Sequence, residues 1–433
     1  MVFLITVSFL SFFSLPSPFF FVITLILFWF YFQFNLSMFS NISLDFMFIS
    51  DELSLFMVYM TAFVLFISYV SSIHLSLSVK VTMVYSFMLL FCFGVFTTNN
   101  LFFLYFYYEC SLLPILYIII KWGSYPERSL SAVMLLIYTS IFTFPFIMVM
   151  FSIYSLSGTM LLSNVFTFDY SSFNALSTFV VFCTFAVKLP VYGLHYWLPM
   201  AHVEAPTFGS MILAGVLLKL GGVGLIRCTN YISLEWLKSV ILSYLMIFMI
   251  YVTLVCAFQS DFKRLVAYSS VSHMMAIPIL YLSNNVLSLK SMLMLMLFHG
   301  LSSPILFMFV GILYSMYSTR QLILMRGLLL VSPLLSFLMV LAFFFTMSAP
   351  PFPSFVSEVY FMISSLSLSH HLVWVFLLFT FLSLVYNLNW LSSILFSSST
   401  NNVMAYSLTY LNFLALTLSL LMSVPMIFLM MLM

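Results

Sequence analysis

The sequence predicts an all-α polytopic membrane protein of about fourteen transmembrane helices, and three observations carry that expectation. Of 433 residues, 64% are hydrophobic and 5% are charged, which leaves too little polar surface for a soluble protein of this size. A spanning helix uses about 20 apolar residues, so roughly fourteen consume nearly the whole chain and leave no room for a separate soluble module. The apolar runs are also uniformly hydrophobic. A barrel would instead alternate within strands of about 10 residues.

Taken in order between polar or proline-marked breaks, spans are expected near 1–15, 17–36, 53–71, 81–98, 101–120, 130–156 and 174–203. Seven more follow near 206–228, 238–258, 264–282, 287–315, 328–367, 371–396 and 404–431. The seventh and twelfth are too long to be simple helices, and both contain breakers: Pro190, Gly193 and Pro199 in one, and Pro350, Pro351 and Pro353 in the other. They lie five spans apart. Broken helices at equivalent places in two halves are the mark of an internally duplicated transporter, because unwound backbone is tolerated at membrane depth only where it lines a cavity. The single membrane domain (1–433) is therefore divided into N-terminal helices (1–80), a first repeat of five spans (81–228), a second (238–396) and a last helix (404–431).

The twelve basic residues fit this count. Lys80, Lys121, Arg128, Lys263, Arg264, Arg320 and Arg326 fall in connections after odd-numbered spans, against Arg227, Lys238 and Lys290 in the others. By the positive-inside rule the odd-to-even connections face the matrix or cytoplasm. Lys188 and Lys219 remain inside the membrane.

A net charge of +2 with no basic cluster gives no footing for nucleic acid. The five cysteines, Cys92, Cys110, Cys183, Cys228 and Cys256, stand apart with no metal-ligand spacing, and no nucleotide-binding glycine loop is present. No flavin, nucleotide, iron-sulfur cluster or metal is therefore expected on this chain. The N-terminal run lacks a basic n-region, a cleavage site or an Arg-rich presequence, so no import signal is legible. Two glycosylation sequons, at Asn35 and Asn41, are short enough to arise by chance.

An ionised group at mid-membrane costs about 2.5 to 3.5 kcal/mol on insertion scales. Four groups carry that cost: Glu109 in the fifth span, Lys188 at the break of the seventh, Lys219 in the eighth and Glu358 after the second break. Glu109 is either a carboxylate that only pairs with a neighbouring helix or a proton site, and the functional reading is favoured. Lys188 is expected to meet carbonyls that Pro190 leaves without an N–H, and to pair with Glu109. Histidine, with an unperturbed pKa near 6.5, is the natural bridge between such groups. His299 is favoured as a relay, His195 and His202 flank the seventh-span break, and His273 is evenly balanced between relay and packing. His74, His370 and His371 are expected at the interface. Glu204 is read as capping or positioning the next helix, and Asp261, Lys263 and Arg264 as a solvated connection. Gly221, Gly222 and Gly224 are read as close helix packing.

The run FAVKLPVYGLHYWLPMAHVEAPTFGSMILAGVLLKLGGVG (185–224) resembles the signature of the chain 4 family of mitochondrial NADH:ubiquinone oxidoreductase, the antiporter-like chains of respiratory complex I. FYYECSLLPILYIIIKWGSYPER, QSDFKRLVAYSSVSHM and LMLFHGLSSPILF extend the resemblance over about residues 100–365. The family implies an antiporter-like fold with two inverted five-helix repeats and discontinuous helices 7 and 12. Glu109, Lys188 and Lys219 resemble its glutamate of the fifth helix and lysines of the seventh and eighth. His299 matches a family histidine. Glu358 takes the place of an acidic residue, with Ser357 where the family often has glycine. The compact N-terminal helices and the proline-rich PPFPSF depart from the family pattern.

The resemblance implies a proton-translocating subunit of the mitochondrial inner membrane, with Lys188 as switch, Glu109 as its partner, Lys219 as relay and Glu358 toward the exit. Its partners would be other membrane-arm subunits, above all neighbouring antiporter-like chains, together with membrane lipids. NADH, FMN, iron-sulfur clusters and ubiquinone would be used elsewhere in the complex. The rival readings are a cation/proton antiporter of the same ancestry and a passive scaffold.

Overall fold

Uniformly apolar runs cut by prolines and short polar connections give helices, and the computed structural model is, in the regular structure of its described residues, helical apart from one two-residue strand pair. It describes residues 43–44, 49–72, 79–162, 175–228, 238–283, 285–350, 352–366, 370–396, 413 and 415–420. The expected first two spans, most of the fourteenth, His74, Pro351 and the side chains of Lys80, His370 and His371 lie outside what is described. β1 (Ser43–Leu44) and β2 (Ile49–Ser50) pair antiparallel, Ser43 opposite Ser50, ahead of the first described helix.

The helices are α1 (Glu52–Ser72), α2 (Val79–Thr97), α3 (Leu101–Cys110), α4 (Leu112–Trp122), α5 (Arg128–Ser157), α6 (Ala175–Lys188), α7 (Trp197–Glu204), α8 (Thr207–Ile212) and α9 (Leu218–Arg227). Then follow α10 (Lys238–Ala257), α11 (Phe262–Met274), α12 (Ala276–Ser283), α13 (Val286–Tyr317), α14 (Leu328–Val331), α15 (Pro333–Thr346), α16 (Pro353–Leu366) and α17 (His370–Phe396). Among the described residues, eight helices or stacked helix pairs are long and apolar enough to cross a membrane, and three shorter apolar ones accompany them. The chain is a multi-pass membrane protein.

Both expected breaks are present. In the seventh span, α6 stops at Lys188 and α7 starts at Trp197, with Gly193 at φ 87°, a left-handed conformation that favours glycine. In the twelfth, α15 ends at Thr346 and α16 begins at Pro353, with Ser348 at φ 55° between them. The expected fifth, eighth and tenth spans are each stacked from shorter pieces. α8 and α9 are joined by a π-helical turn, Leu213–Leu217, of the kind that often marks functional positions.

α13 is the axis of the described bundle, packing on α1, α8, α11, α12, α15 and α16. Its 32 residues are buried along almost their whole length, so their periodicity shows no polar stripe. α5, α10 and α17 form the periphery and present Phe144, Met148, Ile247 and Phe381 outward, as lipid-facing helices should.

The connections gather at two ends. At one, the Phe262 N–H donates to the Arg320 carbonyl, and Arg320 donates to the Val203 carbonyl and the Ser124 hydroxyl. The connections after α4, α7, α10 and α13 therefore meet at the end that carries Arg128, Lys263, Arg264 and Arg320. At the other, Leu162 donates to the Asn99 carbonyl, and Arg227 pairs with Asp51 and donates to the Phe96 carbonyl. This separation agrees with the sorting of basic residues along the sequence.

Candidate functional site

Glu109 is the penultimate residue of α3, a helix that stops at Ser111 just ahead of Pro114. Its Oε1 is buried with no hydrogen-bond partner. The cation whose field reaches it is Lys188, and Thr143 of α5 stands beside it.

Lys188 ends α6 with 1% of its surface exposed. Its Nζ donates to the Tyr108 carbonyl at 2.8 Å and lies 3.2 Å from the centre of the Tyr108 ring. Tyr108 is fixed in turn because its Oη donates to the Thr184 carbonyl at 3.0 Å. The ammonium is thus held by a carbonyl and a π face, a cation–π arrangement strengthened by the loss of water.

Two sequence expectations are corrected here. The carbonyls left free by Pro190 are not met by Lys188, because the Val191 N–H donates to Ala186 and the Trp197 indole to Val187. Lys188 reaches across to α3 instead. Nor do Lys188 and Glu109 form an ion pair. Among the described residues the ion pairs are Arg227 with Asp51 and Arg264 with Asp261, and Tyr108 occupies the contact that the carboxylate was expected to make.

Lys219 lies two residues past the end of the π-helical turn and is fully buried. Its Nζ donates to the Ala214 carbonyl at 2.5 Å and lies 2.9 Å from Nδ1 of His299 on α13. Gly300 makes this approach possible: a Cβ there would come within 2.4 Å of the Met60 Sδ and 3.3 Å of the Lys219 Cε. The ring of His273 on α11 lies 6.0 Å from that of His299.

Both histidines line a cavity of about 30 Å³, enough for about two waters. Ser302, Ser303, Ser357, Asn387 and Glu358 are among its other polar lining residues. Ser348, turned by its left-handed backbone, donates to Glu358 Oε1 at 2.5 Å across the second break. The cavity thus runs from the break of the twelfth span to His299, the partner of the eighth-span lysine.

The predicted residues therefore fall into two groups. Glu109 and Lys188 meet through Tyr108, while Lys219, His299 and Glu358 meet through imidazole and a polar cavity. Between the groups the packing is apolar: a Cβ at Gly221 or Gly224 would strike Phe185, and one at Gly222 the Met296 sulfur. That is the close helix approach expected of these glycines.

His195 belongs to neither group. It stacks on Tyr192 and Tyr196, with ring centres 4.9 and 4.6 Å away, and its Nδ1 has no partner. His202 stacks on Phe307 at 4.6 Å with both ring nitrogens unpartnered, and feels the charges of Lys263 and Lys219.

Lys263 overturns its solvated reading. It is 3% exposed and donates to the carbonyls of Val203 and Ala205, where Pro206 supplies no N–H to meet the end of α7. Arg264 and Asp261 do form the exposed pair expected of a connection. Glu204 caps no helix: α8 begins on Pro206 without a side-chain cap, and Glu204 Oε2 is buried with no partner. Among the described residues no cluster of three or more metal-ligating side chains occurs.

Sequence reasoning missed Tyr108, Ser348, Asn387 and the burial of Lys263, and left His273 undecided. Tyr108 stands next to Glu109 in YYE, and adjacency to a buried charge was the available signal.

Comparison with known proteins follows the same lines. Residues 98–383 match the family model described as NADH:quinone oxidoreductase/Mrp antiporter, TM. NADH-ubiquinone oxidoreductase chain 4 of Lumbricus terrestris is 39% identical over 280 residues, which are 63% of this chain and 62% of that one. The matched stretch thus spans less than two thirds of that relative. Chain 4 of Artemia franciscana is 34% identical over 328 residues, covering 75% of this chain and 82% of its own. A chain in the structure of respiratory complex I from Thermus thermophilus with bound NADH shares the fold, with a TM-score of 0.82 at 21% identity over 97% of this chain and 92% of that one.

Proposed function

Because the chain belongs to the family of transmembrane NADH:quinone oxidoreductase and Mrp antiporter subunits, we propose that it is a proton-translocating membrane-arm subunit of a respiratory NADH:ubiquinone oxidoreductase, resident in the mitochondrial inner membrane. The observation that carries this reading is the pair of fully buried ammonium groups, Lys188 and Lys219, neither in ion-pair contact with a carboxylate. Burying an uncompensated charge costs several kcal/mol. A passive scaffold has no use for two such sites, whereas a chain that loads and unloads protons does.

Lys188 is the switch. Displacing its ammonium from the Tyr108 carbonyl toward Glu109 would exchange a carbonyl and π contact for an ion pair, and in a medium of low dielectric that rearrangement changes which group holds the proton. Lys219 takes the proton at the π-helical turn, His299 accepts it at Nδ1, and the waters of the polar cavity carry it to Glu358. The two broken helices sit in five-span repeats, 81–228 and 238–396, related by inversion as the family resemblance implies. The driving signal comes from neighbouring membrane-arm subunits, and NADH, flavin, iron-sulfur clusters and ubiquinone act on other chains.

Native electrophoresis of mild-detergent membrane extracts, with an NADH-dehydrogenase stain and mass spectrometry of the band, tests the reading. Migration of this chain inside a very large NADH-oxidising complex is expected. The same family includes Mrp antiporter chains. Migration apart from NADH oxidation, with sodium-dependent proton flux in the absence of NADH, would replace the respiratory reading with a cation/proton antiporter.

A further inference from the structure

Two shells of side chains separate Lys188 from the outer end of the bundle, opposite the basic connections. α6 runs from that end down to Lys188, and α9 climbs back to it. The first shell is aromatic. Phe185, one turn outward of Lys188 on α6, meets the Tyr108 ring edge-on at 5.5 Å and the Phe146 ring at 5.8 Å. α9 packs so closely here that a Cβ at Gly224 would strike the Phe185 ring. Arg227 stands three residues further out on α9. Two rises of three residues, about 9 Å in all, therefore part it from Lys188 along the helix axes.

The second shell is ionic. Arg227 pairs with Asp51, just ahead of α1, and donates to the Phe96 carbonyl near the end of α2 at 3.2 Å. The two partners differ in exposure, with 27% of the Asp51 side chain open and 9% of that of Arg227. Water thus screens the carboxylate more than the guanidinium, whose neighbours Cys228, Thr97 and Thr98 are buried. The Arg227 Nε is itself buried without a hydrogen-bond partner. A buried donor left open is uncommon, and this one leaves the cation incompletely compensated.

We propose that Arg227 is the electrostatic barrier that keeps the Lys188 proton from exchanging with water at the outer end. A proton approaching Lys188 from that end would have to pass a fixed cation whose field is extended by low dielectric, as an arginine excludes protons from water pores. Asp51 and the Phe96 carbonyl hold the cation in place. Arg227 takes no proton itself, since a guanidinium stays charged throughout. The same field leaves the direction of Glu109 as the easier one for the Lys188 proton. The barrier rests on the proton-translocating reading of the chain and deepens it.

The test is the passive proton leak of the intact NADH-oxidising complex in sealed vesicles without NADH, read with a pH dye after an acid pulse on the Asp51 face. In Arg227→Gln the leak is expected to rise by on the order of tenfold, the effect of one unit charge over about 9 Å at an effective dielectric near 20. Arg227→Lys keeps the charge and loses the forked geometry, and its leak should stay within about twofold of the parent. In Asp51→Asn the leak should not rise, because the cation remains and its screening anion is gone. A seal made by packing alone predicts the opposite, since cutting the pair frees the side chain. An unchanged leak in Arg227→Gln, or a raised leak in Asp51→Asn, would overturn the proposal, the second even if Arg227→Gln fails to assemble. Adding Lys188→Ala to Arg227→Gln should return the leak to the parent's level; a leak that persists does not run through Lys188 and also overturns it. A failed barrier leaves the proton-translocating reading standing, whereas normal pumping in Lys188→Ala alone removes the reading itself.

Discussion

The two halves of the site hold a buried lysine in different ways. Around Lys188 the partners are a backbone carbonyl and an aromatic face, neither of which can take a proton, and the one nearby acid, Glu109, lies beyond direct contact. Around Lys219 the partner is an imidazole at 2.9 Å, backed by a polar cavity that reaches Glu358. The first half holds its charge until something moves, while the second has acceptors already in line. A pump needs both kinds of element, because a continuous wire would leak and two isolated charges would not conduct.

Substitutions that erase one half and spare the other would break this comparison most sharply. Lys188→Ala removes the proposed switch, and loss of this subunit's share of pumping is expected with the complex still assembled, since removing an uncompensated buried charge relieves its desolvation cost. His299→Ala removes the first acceptor of the second half. The part of the proton flux that this chain carries should drop by about two orders of magnitude, as for loss of a proton-transferring side chain, with Lys188 and its Tyr108 contact untouched.

Gly300→Ala asks whether the approach of Lys219 matters. The new methyl crowds Met60 and the Lys219 side chain, so thermal unfolding of the complex should show a cost of about 1 to 3 kcal/mol typical of overpacking, together with slower pumping. Ser348→Ala removes the hydroxyl that Glu358 accepts, worth about 1.5 to 3 kcal/mol for a charged acceptor and less for a neutral one. Proton flux should fall by less than for His299→Ala. The smallest effect belongs to Arg264→Ala, which breaks an exposed pair with Asp261. Within about 0.5 kcal/mol it should leave stability unchanged, and pumping with it.

Much of this architecture was legible because membranes make polar groups expensive. Both broken spans, the burial of Lys188 and Lys219 and the gathering of basic connections at one end follow from prolines and charges in an otherwise apolar chain. What stayed hidden was pairwise geometry. The partner of Lys188 is a carbonyl and ring on a helix some 80 residues earlier, a contact no local pattern encodes. Lys263 looked like part of a solvated connection because Asp261 and Arg264 flank it, yet helical rotation turns it inward onto the carbonyls ending α7. Tyr386 and Asn387 carry no signal in the sequence, because α17 has no periodicity that separates its cavity-lining face. His195, singled out by its place beside the first break, packs among tyrosines.

The central claim is that the Lys188 charge, held on Tyr108 and released toward Glu109, drives proton movement through the chain. The measurement that tests it most directly is the proton-to-electron ratio of the complex carrying Lys188→Ala, reconstituted in sealed vesicles and compared with the parent at equal NADH oxidation. A ratio reduced by the contribution of this subunit is predicted, with assembly preserved. A ratio equal to the parent's would contradict the account.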